Sequence, residues 1–139
     1  MSIDRQQFWD RKILGWEADK YSQVKGPLCK IFDVNQSIKK RLDFAKKILA
    51  KVARDKIVLE LGCGSGRLME EVFKADAKKY IGVDISSVAI NEAKAKAEKL
   101  GLTSITEFRV SDLSELDLSK VDLVFSLGLL DWLDLQELA

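Results

Sequence analysis

The chain contains no histidine, and this absence removes several common kinds of active site. Histidine-based triads, histidine metal sites and the commonest general base are all excluded. Only two cysteines occur, Cys29 and Cys63, and neither belongs to a CxxC pair. A zinc site or a disulfide framework is therefore not expected, no metal ligands are predicted, and a reducing cytoplasmic location is favoured.

An excess of charge of one sign is also lacking. The 139 residues include 23 Lys plus Arg against 22 Asp plus Glu, which gives a formal net charge of +1. A chain so close to neutral has no electrostatic footprint for nucleic acid or for an anionic membrane surface. No apolar run reaches the length that crosses a bilayer, and no signal pattern is present. The composition predicts a cytoplasmic protein without nucleic-acid or membrane partners.

The chain divides into a helical segment, residues 1–54, and a segment with alternating strands and helices, residues 55–139. Apolar and aromatic residues in the first segment recur close to a helical period. We expect this segment to pack on the core or to form a lid over it with Trp9, Trp16 and Tyr21. Core packing is the ordinary role of such a stripe.

The second segment contains four short apolar runs that predict strands, at residues 57–59, 80–83, 105–110 and 121–125. Helices are predicted between them, one of them capped by Ser86 or Ser87 and ended by Gly101. Strands and helices that alternate at this spacing indicate βαβ units. The predicted fold class is therefore α/β with a parallel sheet.

The stretch VLELGCGSG, residues 58–66, is a predicted buried strand followed by glycine at every second position. A glycine turn between a strand and a helix accepts anions or the close approach of a cofactor. The dinucleotide fingerprint GxGxxG would place glycine where this chain has Arg67. Glu60 adds negative charge, which suits an ammonium or sulfonium group better than a phosphate. A tight turn without any ligand remains the alternative.

Two further acids follow the next two predicted strands. Asp84 lies 22 residues after Gly62, at a position where a carboxylate can accept hydrogen bonds from two ribose hydroxyls. Asp112 follows the third strand, where its carboxylate can accept a hydrogen bond from an adenine amino group. The alternatives are that Asp84 caps the helix beginning near Ser86 and that Asp112 is a turn or cap residue.

Four motifs occur in order along the chain: VLELGCGSGRL, YIGVDIS, VSDLSEL and VDLVFSLGLLDWL. Together they resemble the successive motifs of class I S-adenosylmethionine-dependent methyltransferases, over residues 56–133. The resemblance implies a Rossmann-like fold of three αβα layers with strand order 3-2-1-4 and S-adenosylmethionine as the cofactor. It also implies methyl transfer to a nucleophile. A small-molecule substrate is expected, because the SLGL segment lacks the Asn-Pro-Pro-aromatic motif of many enzymes that methylate nucleobases.

The resemblance also implies roles for individual residues. The loop glycines would let the methionine part of the cofactor approach, Glu60 would face its amino-acid end, Asp84 would bind the ribose, and Asp112 the adenine. The implied cofactor-binding residues are Glu60, Gly62, Cys63, Gly64, Gly66, Asp84, Ile85, Asp112, Leu113 and Ser126. No catalytic residue is assigned. Asp131 is a candidate base. The alternative is that Asp131 is only the acid at the start of a helix.

The family's sheet usually has seven strands, whereas this sequence ends at Ala139, soon after the predicted fourth strand. We expect either a truncated protein or a homodimer formed through the apolar edge of that strand. Two alternatives to a methyltransferase stay open. One is a module that binds S-adenosylmethionine or S-adenosylhomocysteine without turnover, and the weaker one is an NAD-binding Rossmann domain.

Overall fold

The structure is a computed structural model that describes residues 2–21 and 34–129, with side chains for residues 5–18 and 39–129. The helices it describes are α1 (Ser2–Tyr21), α2 (Val34–Val52), α3 (Met69–Lys74) and α4 (Ser87–Lys99). The strands are β1 (Ile57–Leu61), β2 (Lys79–Asp84), β3 (Thr106–Val110) and β4 (Leu123–Ser126). Short 3-10 turns, Thr103–Ile105 and Leu113–Glu115, precede and follow β3. Within these described residues no helix is both long and apolar enough to cross a membrane.

The four strands form one parallel sheet in the order β3-β2-β1-β4. The α/β class and the strand order are therefore confirmed. Glu60 in the central strand β1 lies opposite Gly82 of β2 on one side and Phe125 of β4 on the other. Because the strands are parallel, their carboxyl ends share one edge of the sheet, and the segments that leave those ends become neighbours.

Successive residues of β1 belong to two separate apolar clusters, as expected for side chains that alternate across a strand. Val58 packs in the larger cluster with Tyr80 and with residues from three helices, namely Leu49 of α2, Met69 and Val72 of α3, and Ala97 of α4. Leu59 packs with Ile81 and Val83, and the partly buried Leu116 and Val121 lie against them. Buried on both faces, β1 provides a rigid support for the loop that follows it.

The ends of two elements follow from local contacts. Helix α4 begins after Ser86, whose Oγ accepts a hydrogen bond from the Ala89 N–H (3.2 Å), and it is followed by Gly101 at a φ of 70°. Both ends agree with the prediction. Strand β4 begins two residues later than predicted, because Asp122 Oδ2 accepts a hydrogen bond from the Ile57 N–H (2.8 Å) in place of a backbone carbonyl.

Candidate functional site

A cavity of about 560 Å³ lies at the carboxyl ends of β1 and β2. This is the size of a small-molecule site, at the edge of the sheet where α/β folds bind their ligands. Its lining includes eight of the predicted cofactor-binding residues: Glu60, Gly62, Cys63, Gly64, Asp84, Ile85, Asp112 and Leu113. Gly66 and Ser126 do not line it. Asp131 lies outside the described residues.

The backbone N–H groups of the glycine loop, residues 62–66, all donate hydrogen bonds within the protein. The first two donate to the Val83 carbonyl (2.8 and 3.0 Å), and the fifth donates to the Cys63 carbonyl (2.9 Å). The third donates to Asp84 Oδ2 (2.9 Å) and the fourth to Glu17 Oε1 (3.0 Å). No N–H group of these five residues is left for a ligand phosphate.

Two of the loop glycines are required for different reasons. Gly64 has a φ of 53°, and a Cβ atom there would collide with Glu17 Oε1. Gly66 has a φ of 73°, and a Cβ atom there would lie 3.3 Å from the Ala93 Cβ of α4. The absence of a side chain at Gly64 therefore leaves room for Glu17 of α1 beside the loop. The absence of one at Gly66 lets the loop pack against Ala93 of α4.

Glu60 is a buried carboxyl group in the wall of the cavity. The Tyr80 hydroxyl donates a hydrogen bond to Glu60 Oε2 (2.5 Å). Burial raises the pKa of Glu60 to about 8, against the lowering effect of the Tyr80 hydrogen bond, and the charges of Asp84 and Glu17 raise it further. The carboxyl group is therefore mainly protonated at pH 7. Tyr80 was not predicted as a site residue, although its hydroxyl in an otherwise apolar strand was a signal.

Asp84 holds two turns of the backbone together at the end of β2. Its Oδ2 accepts a hydrogen bond from the Gly64 N–H, and its Oδ1 accepts one from the Ser86 N–H, both at 2.9 Å. Burial raises the pKa of Asp84. The helix cap is Ser86 rather than Asp84. Since a carboxylate can accept about four hydrogen bonds, Asp84 keeps acceptor capacity toward the cavity.

Asp112 caps a short turn at the cavity, as its alternative role predicted. It precedes the 3-10 turn Leu113–Glu115, and its Oδ1 accepts hydrogen bonds from the Ser114 N–H (3.2 Å) and the Ser114 Oγ (3.3 Å). It also lines the cavity. Capping the turn places its carboxylate, because the cap holds the side chain in one orientation.

Helix α1 forms one side of the cavity, with Arg5, Trp9, Ile13, Trp16 and Glu17. Asp10 attaches this helix to the start of α4. Its Oδ1 accepts hydrogen bonds from the Ser86 Oγ (2.7 Å) and the Val88 N–H (3.2 Å), and its Oδ2 accepts one from the Ser87 Oγ (3.2 Å). Burial opposes ionisation of Asp10, but these hydrogen bonds hold its pKa below the usual value.

Glu17 attaches the same helix to the glycine loop. Besides the Ser65 N–H bonded to Oε1, Arg67 Nε lies 3.7 Å from Glu17 Oε2, and Arg67 Nη2 donates to the Glu17 carbonyl (3.3 Å). Sequence reasoning missed both acids of α1. Their separation of seven residues, with Ile13 between them, puts them on one face of a helix and was the available signal.

A family model described as a methyltransferase domain matches residues 58–139. A protein-lysine N-methyltransferase from Saccharolobus islandicus is 39% identical over 77 residues, covering 55% of this chain and 48% of that protein. A ribosomal protein L11 methyltransferase from Haemophilus influenzae is 39% identical over 71 residues, covering 51% of this chain and 24% of that protein. The chain thus spans about half the length of the first relative and about a quarter of the second.

Solved structures with a similar fold include magnesium protoporphyrin IX methyltransferase (ChlM) from Synechocystis PCC 6803 with bound SAM. It has a TM-score of 0.75 at 22% identity, covering 98% of this chain and 65% of that one. A SAM-dependent methyltransferase from Thiobacillus denitrificans in complex with S-adenosyl-L-homocysteine has a TM-score of 0.53 at 26% identity, covering 64% and 36%. The family match covers more than half of the chain, and the chain therefore belongs to the class I S-adenosylmethionine-dependent methyltransferase family.

Proposed function

We propose that the chain binds S-adenosylmethionine in this cavity and that the protein transfers the cofactor's methyl group to a nucleophile on its substrate. The cofactor proposal rests on the hydrogen bonds that the loop's N–H groups donate. Residues 62–66 donate only to acceptors of the protein, and the carboxyl groups of Glu17, Glu60 and Asp84 line the cavity at the loop, where Arg67 pairs with Glu17. A loop with no N–H group left over disfavours the pyrophosphate of NAD, and the carboxyl groups beside it supply acceptors for an ammonium group and favour positive charge where they are ionised.

The acids at the ends of β2 and β3 are proposed to bind the adenosine part of the cofactor. The remaining acceptor capacity of Asp84 suits the ribose hydroxyls, with Ile85 beside it in the lining. Asp112 suits the adenine amino group, with the Leu113 backbone next to it. Gly66 and Ser126 stay predictions that rest on the family motifs.

In the proposed reaction the cofactor supplies the reactive group, and the protein positions it. Bound S-adenosylmethionine supplies an activated methyl group. The chain's own residues bind and orient it, and the apolar side chains of Trp9, Ile13 and Trp16 limit the access of water. With no histidine in the chain, a base must be a carboxylate or a group of the substrate itself. Asp131 stays the candidate from the sequence.

A small molecule is the proposed substrate class. Its support is the formal net charge of +1 and the SLGL segment, residues 126–129, where nucleobase methyltransferases often have Asn-Pro-Pro. The two relatives are named for protein substrates, one of them for protein lysine, so a protein is the competing substrate class. Cysteine usage supports a cytoplasmic location.

Two proposals concern the arrangement of the chain. The segment 1–54 is proposed to pack on the core through α2 and to cover the cavity through α1, supported by Leu49 in the core cluster and by the position of α1 along the cavity. A homodimer through β4 is proposed because β4 pairs only with β1 among the described strands and Val124 is 41% exposed. Sedimentation analysis that finds a monomer at all concentrations would contradict the dimer.

Calorimetric titration of the chain with S-adenosylmethionine, S-adenosylhomocysteine and NAD tests the cofactor proposal. Binding of both adenosyl compounds without binding of NAD is expected, and failure of both to bind would refute it. Transfer of a labelled methyl group is then measured on thiols, phenols, carboxylates, amines and protein lysines. Transfer only to protein would contradict the proposed substrate class, and binding without any transfer would favour a cofactor-binding module.

A further inference from the structure

Glu17 is a buried acid at the cavity that the family motifs do not include. It belongs to α1, outside the matched residues 58–139, and only 7% of it is exposed. Its Oε1 accepts a hydrogen bond from the Ser65 N–H and occupies the space beside Gly64 that a Cβ atom would need. A residue distant in sequence therefore contributes a carboxylate to the middle of the glycine loop.

The surroundings of Glu17 are rich in acids. Its charge acts on Glu60 and Asp84, raising the pKa of both, so the three carboxyl groups lie within interaction range of one another. Arg67 Nε lies 3.7 Å from Glu17 Oε2, which is ion-pair distance but beyond hydrogen-bond distance. A positively charged ligand group would be attracted by the Glu17 carboxylate, and it would also favour ionisation of Glu60 and Asp84.

We propose that Glu17 is a further cofactor-binding residue, and that its carboxylate accepts a hydrogen bond from the α-ammonium group of S-adenosylmethionine. This inference rests on the proposed cofactor. Oε1 stays bonded to the Ser65 N–H, and Oε2 has acceptor capacity for the ligand, because each carboxylate oxygen can accept about two hydrogen bonds. The N–H groups of the loop are donors, which an ammonium group cannot use, and they are already bonded within the protein.

Truncation of the ligand tests this role directly. 5′-Methylthioadenosine has the adenosine and thioether parts but no amino-acid part, so a residue that recognises the ammonium group does not affect its binding. Glu17→Gln keeps an oxygen acceptor for the Ser65 N–H while removing the charge. We expect Glu17→Gln to weaken S-adenosylmethionine and S-adenosylhomocysteine about tenfold, since hydrogen bonds to charged groups are the stronger ones. Binding of 5′-methylthioadenosine should change less than about twofold by the same reasoning.

Glu92→Gln is the matched control, because Glu92 is an exposed acid on α4 and its change removes the same charge. It should leave all three ligands unaffected. Equal weakening of all three by Glu17→Gln would overturn the proposal and show that Glu17 only supports the loop. Unchanged or tighter binding of the amino-acid ligands would also overturn it. If the wild-type chain binds none of the three compounds, the proposed function fails instead.

Discussion

Replacing Glu60 by glutamine should make the stability of the protein less dependent on pH between 5 and 8. The carboxyl group is buried against Tyr80, and burial raises its pKa from 4.5 to about 8 in the folded state. As the pH rises above 4.5, the unfolded chain releases this proton while the folded chain retains it. The free energy of unfolding therefore falls with rising pH, and this fall ends once the pH exceeds about 8.

The size of the effect follows from the two pKa values. Each pH unit between them costs at most about 1.4 kcal/mol, and the interval from pH 5 to pH 8 costs roughly 3–4 kcal/mol, because the group titrates partly at both ends of the interval. Asp84 also has a raised pKa and contributes a fall of the same sign. The difference in slope between the wild type and Glu60→Gln isolates the contribution of Glu60, whatever constant cost the buried amide adds.

Urea denaturation monitored by circular dichroism at several pH values measures this slope. Exposed Glu92→Gln serves as the charge-matched control and should follow the wild-type curve. Parallel curves for the wild type and Glu60→Gln would refute the reasoning, because Glu60 would then ionise equally easily in the folded and unfolded states.

Three other substitutions test separate contacts of the site. Asp84→Ala should weaken S-adenosylhomocysteine binding in calorimetry by about 1.5–3 kcal/mol through loss of a ribose hydrogen bond, and unchanged affinity would contradict the assignment. Asp10→Asn should reduce the free energy of unfolding at pH 7 by about 1 kcal/mol, because a carboxylate at the start of α4 is lost. That difference should shrink as the pH falls below 3.8 through the lowered pKa of Asp10, and equal stability at pH 7 would exclude the contact as a stabilising one. Gly64→Ala should destabilise the protein more than Gly101→Ala, by about 1 kcal/mol beyond the 1–2 kcal/mol of a left-handed residue. Both glycines have positive φ, but only a Cβ at Gly64 meets Glu17, so equal urea midpoints would show that Glu17 moves away without cost.

Much of the fold was accessible from local pattern. The apolar runs and their spacing predicted the four strands, and the cap at Ser86 and the glycine at Gly101 placed both ends of α4. The start of β4 was placed two residues too early, because the Asp122 side chain forms the hydrogen bond that a ladder carbonyl would otherwise form. Local pattern does not reveal that a side chain 65 residues away replaces a backbone hydrogen-bond partner.

The candidate site was predicted only in part, because local pattern locates strand ends but not contacts between distant parts of the chain. Glu60, Asp84 and Asp112 stand at strand ends, and a parallel sheet brings strand ends together. Asp10 and Glu17 were missed, since their partners lie far along the chain, with Ser86 76 residues from Asp10 and Ser65 48 residues from Glu17. A helical pattern shows that two acids share a face, but not what that face contacts.

The amino-acid sequence alone determined the parallel sheet and the glycine loop at the end of its central strand, because strand periodicity and the need for positive φ are local properties. Only the tertiary structure decided the electrostatics of that loop. It brought Glu17 of α1 to the Ser65 N–H and the Tyr80 hydroxyl to Glu60. The N–H groups of residues 62–66 are consequently all bonded within the protein, and carboxyl groups face the cavity beside them. Charge, burial and hydrogen-bond partners are set by packing through space, and they decide which ligand the loop favours.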